Sequence, residues 1–396
     1  MRHVTRVKRT RHAFFYAEDD YLLDVESILR GELPALAPQG AIVALAVLTG
    51  RPHRLGAEEF QCLLSVPADR WVEAIGFDTE LLNNLTEHGL LLSDSDDARL
   101  RRLCDRDESL SEAAWDLHSE LYHYMTQWSN VTTTEPDDEA DIARSRAYIA
   151  ENIARYGKPP PAFPAKRQGY AVALPRRPQQ GSLYQILTAR RTTRSFDENV
   201  PMTLEQLDTV LLYVFGCHGY ASSLDQLICV KRTSPSGGCL HPTEAYLIVT
   251  NVTGVSCGIY QYCAEDHSLV LISELAAHEA RSTATSFATG QYYFGAAHVS
   301  FILTARFYRN HWKYRRHHKA YTAILMDAAH LSQTLYLVSG ELGLGAYVTI
   351  AINGRDIEER LGLDGVSEGV IAMAGCGPRT VSLSPLEPQF SLEPPS

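Results

Sequence analysis

The sequence predicts an α/β protein of the α+β kind, and three observations carry that prediction. Beyond residue 180, helix-period and strand-like segments alternate. A long apolar helix pattern, AYTAILMDAAHLSQTLYLVSGELG, runs over residues 320–343. The first hundred residues read as helix, turn, helix and strand. With 396 residues and 45% hydrophobic content, the chain has material for a large core and leans towards two domains.

Composition narrows the function classes. A formal net charge of -11 argues against bulk affinity for polyanions, because that affinity needs clustered Lys and Arg that release counterions. The eight cysteines form no CxxC pair, which argues against a zinc ribbon, and no metal-ligand set stands out. No stretch approaches the roughly 18 consecutive apolar residues of a membrane span. The basic start MRHVTRVKRTRHAFF leads into EDD rather than an apolar segment, so a cytoplasmic protein with reduced thiols is expected.

Taken in order, the basic start reads as a solvated terminus, with a DNA-contacting arm as the weaker alternative. The apolar ALAPQGAIVALAVLTG and then AEEFQCLLSV extend the helical reading, and FDTELLNNLTEHGLLL sets Leu81, Leu82, Leu85 and His88 at helical spacing before a strand. That succession suggests a winged-helix module. Such modules bind DNA, or a peptide added as an extra strand, and LLNNLTEHG lacks the Lys and Arg a DNA-reading helix needs.

SEAAWDLHSELYHYMTQW reads as a further helical stretch. The acidic TTTEPDDEADIARSRAY and the proline-rich KPPPAFPAKRQGYAVALPRRPQQG read as a connector. The boundary falls near residue 180, dividing a winged-helix-like region with its linker (1–180, candidate peptide binding) from a larger domain (181–396).

In that larger part, LYQILTARR and TLEQLDTVLLYVFG look helical, EAYLIVTNV and GIYQYC look like strands, and AHVSFILTARF looks like a buried strand. The long helix gathers Ile324, Leu325, Ala328, Leu331, Leu335 and Val338 on one face, as a core or dimer-interface helix does.

Four constellations could carry chemistry. Arg190, Arg191, Thr192, Thr193, Arg194 and Ser195 offer three guanidiniums and hydroxyls fit for a phosphate, or simply a basic helix C-terminus. SPSGGCLHP (234–242) has two glycines that let backbone approach a ligand, but no Gly-Lys-Ser/Thr of a P-loop. GELGLG (340–345) ends the long helix, with Gly340 the expected cap and Gly343 and Gly345 able to bring backbone against a flat ring. Its spacing is not that of a dinucleotide fingerprint.

The fourth is HWKYRRHHKAY (311–321). Lysine and tyrosine ordinarily titrate near about 10, so base work at neutral pH needs burial or neighbouring cations. Arg315, Arg316 and Lys319 could supply the cations; a solvated helical face is the plainer reading.

Together, RRTTRSF, SPSGGCLHPTEAY, GIYQY, WKY, ILMDAAHLSQTLYL, ELGLG and GCGPR resemble the SagB/McbC-type FMN-dependent dehydrogenases of the nitroreductase superfamily, over roughly the last 215 residues. The resemblance implies a central, mostly antiparallel sheet flanked by helices and an FMN-binding homodimer. It implies that Arg190, Arg191, Thr192 and Arg194 contact the phosphate and ribityl chain, with Thr192 replacing the usual Ser. Pro235, Ser236, Gly237 and Gly238 would approach the flavin from the dimer partner. Gly343 and Gly345 would face the ring, and Arg379 would lie near the phosphate. Lys313 and Tyr314 match the catalytic lysine-tyrosine pair of azoline oxidases, although RRHHK departs from the family's glycine-containing run.

The implied activity is dehydrogenation of a ribosomally made, modified peptide, azoline to azole, with hydride passing to the flavin. The implied partners are a precursor peptide, leader and core, and a cyclodehydratase or other peptide-modifying enzyme. One rival is NAD(P)H-driven reduction, through FMN, of dehydroamino acids or of small nitro or quinone compounds. Another is a non-catalytic peptide- or DNA-binding protein.

Overall fold

The computed structural model describes residues 5–23, 36–165, 167–175, 178–223 and 227–390. The chain forms two compact units: Met1–Gln127 with Phe307–Thr322, and Trp128–Arg306 with Ala323–Ser396. The boundary drawn near residue 180 falls inside the second.

The first unit begins with strands. β1 (Arg6–Arg9) is the middle of a three-stranded antiparallel sheet, between β5 (Val72–Glu73) and β6 (Leu91–Ser93). Residues 1–4 of the basic start lie outside the described residues, but Arg6–Arg9 is no solvated arm, because Val7 is wholly buried. A second sheet contains β2 (Ala13–Leu23), β3 (Leu36–Ala46) and β4 (Arg51–Leu55) in that order. This corrects the helical reading of ALAPQGAIVALAVLTG, whose Ala35 lies outside the described residues. Its Val and Ile are β-branched, and pairing along the whole of β2 overrides the apolar run's helical look.

Helices α1 (Ala57–Ser65) and α2 (Thr79–Glu87) then alternate with β5 and β6, as FDTELLNNLTEHGLLL predicts. Val7, Ala44, Leu63, Leu82, Leu85 and Leu91 meet in one core. The further helical stretch is two helices, α3 (Ala98–Glu112) and α4 (Leu117–Thr126). Ala114 turns left-handed at φ 55 and Asp116 caps α4 by accepting the Ser119 N–H, which ends one helix and starts the next.

In the second unit the acidic part of the connector is itself a helix, α5 (Asp138–Tyr156), capped by Asp137. Three acids in its first turn complement the macrodipole, so the charge read as linker is a helix start. Of the proline-rich segment, 166 and 176–177 lie outside the described residues.

After α6 (Ser182–Ala189) and α7 (Leu204–Phe215) come the short pair β7 (Tyr220–Ser223) and β8 (Leu227–Val230). The main sheet is antiparallel throughout. It is built from β9 (Thr243–Val249), β10 (Gly258–Cys263), β11 (Ser268–Glu274), β12 (Val299–Arg306), β13 (Gly345–Thr349) and β14 (Glu368–Gly377), in the order β11-β10-β9-β12-β14-β13.

Both faces are buried, and the period of two divides them. Val299, Phe301 and Leu303 of β12 pack with α7 and with the long helix α11 (Ala320–Glu341), as AYTAILMDAAHLSQTLYLVSGELG predicts. Ile302 points the other way, towards α8 (Ala277–Phe287), α9 (Tyr292–Gly295) and α12 (Gly354–Leu361), the last after the short α10 (Phe307–His311) in chain order. On that side Phe294 stacks on Tyr347 at 3.8 Å, and the Tyr347 hydroxyl meets Ser300 at 2.9 Å.

α11 does not end on Gly340. Gly343 takes the left-handed conformation at φ 71, the Gly343 N–H donates to the Gly340 carbonyl, and the Leu344 N–H donates to the Ser339 carbonyl. This is a Schellman end with Gly343 as its left-handed residue. Gly340 instead lies in the last turn, where a Cβ would come within 2.9 Å of Ile186.

His311 in α10 is buried in the first unit, its Nδ1 3.2 Å from the Ala113 carbonyl and its ring edge-on to Trp115. Burial lowers its pKa from the ordinary 6.5 to about 4. The folded chain therefore holds fewer protons here than the unfolded chain below 6.5, and stability falls as pH drops from 6.5 towards 4. We expect a loss of roughly 3 kcal/mol over that window. Urea unfolding of the full chain at stepped pH should show it, and His311→Asn should flatten the slope.

Candidate functional site

The sequence between α6 and α7 lies along the edge of the main sheet. The Thr193 N–H donates to the Ala346 carbonyl of β13 at 2.9 Å, Phe196 pairs with Arg379 as an isolated bridge, and the Asp197 N–H donates to Pro378. This short extension of the sheet brings Arg190, Arg191 and Arg379 to one place.

With Gln185, Tyr336, Gly345 and Ala346 they line a cavity of about 320 Å³, and a neighbouring hollow is lined by Arg190, Arg191, Arg379 and Phe390. The guanidinium of Arg190 lies over the Tyr336 ring at 5.2 Å. The Thr192 hydroxyl meets the Tyr336 hydroxyl at 3.0 Å.

Arg194 points elsewhere. Its guanidinium lies over Tyr293 at 5.6 Å, and its N–H donates to Glu387 Oε1 at 2.7 Å. Buried Glu387 also accepts the Ser195 hydroxyl at 3.1 Å and pairs with Arg191 at 3.7 Å. Thus one carboxylate anchors the backbone of the arginine segment and faces one of its guanidiniums.

Pro235–Gly238 sits against the first half of α11. Ser236 donates to Asp327 Oδ2 at 2.5 Å, the Gly237 N–H donates to Oδ1 at 3.1 Å, and the His241 N–H donates to Ser236 Oγ at 2.9 Å. Burial raises the Asp327 pKa above its ordinary value, although the bonds from Ser236 and Gly237 oppose the shift. Asp327 lies nine residues before Tyr336, or roughly 13 Å along the helix at about 1.5 Å per residue. Within one chain, then, the PSGG turn and the arginine cavity occupy different stretches of α11.

Gly343 is the helix terminator, whereas Gly345 lines the cavity, where a Cβ would fall 2.6 Å from both Thr193 Cγ2 and Oγ1. Lys313 and Tyr314 lie in the first unit, just after α10, with N–H groups donating to the Asn310 carbonyl. Lys313 is exposed, Tyr314 is half-buried, and the ammonium stands 5.5 Å from the Tyr314 ring centre. The segment carries further cations in Arg315, Arg316 and Lys319.

Sequence reasoning missed Tyr336, Glu387 and a role for Asp327, and read Thr193 only as a hydroxyl of the arginine segment. Thr193 stood in the quoted motif beside Thr192. Tyr336 was indistinguishable from the apolar face of its helix, and Glu387 sits in a tail without periodicity.

The arrangement suits a flat, phosphate-bearing cofactor. Buried Arg191 Nε finds no hydrogen-bond acceptor among the described residues, Arg190 and Arg379 flank it, and Gly345 keeps one wall free of side chain. That donor set and cradle fit a flavin mononucleotide: the arginines would hold the phosphate, and the backbone about Gly345 would face the ring.

The antiparallel sheet between helical layers carries this site at its edge. Residues 187–377, just under half of the chain, match the nitroreductase family model. Over 180 residues the chain is 29% identical to a Methanocaldococcus jannaschii protein named as a nitroreductase, covering 45% of this chain and 83% of that one. Over 171 residues it is 29% identical to the trifolitoxin-processing protein TfxB of Rhizobium leguminosarum bv. trifolii, covering 42% of this chain and 41% of TfxB. A chain of the E. coli microcin synthetase McbBCD complex with truncated pro-MccB17 is similar at a TM-score of 0.48 and 16% identity, covering 70% of this chain and 97% of that one. Among the described residues no helix is long and apolar enough to cross a membrane.

Gly345→Ala must push Thr193 or β13 aside, at a cost of about 1–3 kcal/mol. We expect the variant to purify with much less FMN per chain than wild type, read from the flavin-to-protein absorbance ratio. Unchanged flavin content would remove Gly345 from the site.

Proposed function

We propose that this protein is an FMN-dependent dehydrogenase of the SagB/McbC type that oxidises a ribosomally made, modified peptide, converting an azoline to an azole. The observation that carries the reading is the cavity at the sheet edge, where Arg190, Arg191 and Arg379 converge beside side-chain-free Gly345. The likeness to TfxB, a protein named for toxin processing, supports a peptide substrate.

Bound FMN supplies a two-electron acceptor that oxygen can restore. The chain's own residues do the rest. Arg190, Arg191 and Arg379 would neutralise the phosphate and fix its position, while Tyr336 orients Thr192 and Arg190 at the rim. On the family resemblance, Lys313 or Tyr314 would take the acidic C–H proton of the heterocycle, with the two electrons passing as hydride to FMN. In a homodimer, Pro235–Gly238 of one subunit would complete the site of the other, and Asp327 holds that turn in shape. The region before residue 180 would hold the leader of the precursor peptide, and a cyclodehydratase would deliver the substrate.

A second reading has one observation in its favour, the 83% coverage of a relative named as a nitroreductase. On it, NAD(P)H reduces the cofactor, which then reduces a small nitro or quinone compound or a dehydroamino acid.

Purified wild type should release FMN by mass spectrometry and behave as a dimer in light scattering. Lys313→Ala and Tyr314→Phe should keep the flavin and lose peptide oxidation by roughly 100-fold or more, within the range typical of general-base loss. Full activity in both variants would sink the peptide-oxidase assignment of these two residues. Rapid anaerobic bleaching of the flavin by NADPH would favour the second reading.

A further inference from the structure

The imidazoles of HWKYRRHHKAY are not absorbed by the flavin site. In the first unit His318 faces the start of α4, where Asp116 and His118 stand, and one ligand atom from each of the three lies within 4.8 Å of the others. Buried Asp116 presents Oδ1 to His318 Nδ1 at 2.5 Å, while its Oδ2 accepts the Ser119 N–H at 3.1 Å and the Ser119 hydroxyl at 3.0 Å. The Ser119 bonds are the kind of outer partners that orient a metal-binding carboxylate. His118 and His318 are exposed, with ring centres 6.2 Å apart. All three residues line one side of a cavity of about 510 Å³ whose wall also carries Arg9, Arg11 and Arg316.

Two imidazoles and a carboxylate around an open position form the donor set of a three-ligand transition-metal centre. We propose that Asp116, His118 and His318 bind one divalent transition-metal ion of the zinc class, its fourth position open to the cavity. The surroundings select the metal. The N-terminus of α4 and Arg316 add positive potential, which weakens a hard cation held by charge alone. Imidazole nitrogens bind zinc-class ions far better than magnesium or calcium.

The arginines favour an anionic fourth ligand, a carboxylate or thiolate, in place of water. The ion would join α4 to the segment after α10, which otherwise meets the α3–α4 turn through the His318–Asp116 bond and the Arg316 N–H donating to Ala114. It would therefore order the stretch that carries Lys313 and Tyr314.

The test uses the full-length, tag-free chain, stripped with a chelator and titrated with zinc chloride alone in a calorimeter, with magnesium chloride as control. Wild type should bind one zinc per chain and no magnesium, and zinc should slow hydrogen exchange of amides 313–318. His118→Ala and His318→Ala should each weaken zinc binding by at least about 100-fold, the upper end of what losing even an outer partner costs. They should do so with FMN content unchanged as the measure of intact folding. Absence of saturable zinc binding in wild type, or wild-type zinc affinity in both variants, overturns the proposal.

Discussion

The edge of the six-stranded sheet at β13 is the constraint from which the site follows. Among the described residues β13 has a sheet neighbour only in β14, and an uncovered edge offers unpaired backbone groups. The segment after α6 covers it, with Thr193 bonded to Ala346 and seated so close to Gly345 that no Cβ fits there. With Thr193 fixed there, its two neighbours turn to different helical layers. Thr192 then meets Tyr336, and Arg194 meets Tyr293. Arg379 arrives because the end of β14 pairs onward with Phe196. The arginine cluster is thus a by-product of closing a sheet edge, and the same closure leaves the glycine wall that a flat ring needs.

Glu387 makes that closure tolerable. Guanidiniums crowded at a half-buried site repel one another, and a buried carboxylate at 3.7 Å from Arg191 offsets part of the repulsion while anchoring the backbone of Arg194 and the hydroxyl of Ser195. The tail after β14 therefore belongs to the site electrostatically. Asp327 plays a comparable part further along α11, where a carboxyl driven upward in pKa by burial holds the Ser236–Gly237 turn by two bonds. One helix packed by Ala328, Leu331 and Leu335 against the sheet carries both this anchor and Tyr336.

How much of this was legible depended on whether the signal was local. The alternation in EAYLIVTNV, GIYQYC and AHVSFILTARF reported burial between two helical layers, and those strands fall where the pattern puts them. Arg190, Arg191, Gly345 and Arg379 were named together through the family resemblance and line one cavity, whereas Arg194 turns away from it. The roles of Thr193 and Glu387 were not legible, since they come from a sheet edge and a tail that meet only in the fold. ALAPQGAIVALAVLTG failed for a related reason: an apolar run has no period of its own, and its pairing with β2 decided it. TTTEPDDEADIARSRAY failed because acid clustered at a helix start looks like acid in a linker.

The basic run at 311–321 shows why residue type alone could not settle its role. Its members divide by burial within eight residues: His311 is buried beside Trp115, Lys313 is exposed, and His318 reaches back to a buried carboxylate. Positive charge is therefore not what the run has in common. What its ordered members share is a partner in the α3–α4 region: the Ala113 carbonyl for His311, the Ala114 carbonyl for the Arg316 N–H, and Asp116 for His318. A segment so tied to the first unit carries Lys313 and Tyr314 with it, so whatever chemistry those two perform is positioned by residues 113–118 rather than by the sheet that builds the arginine cavity.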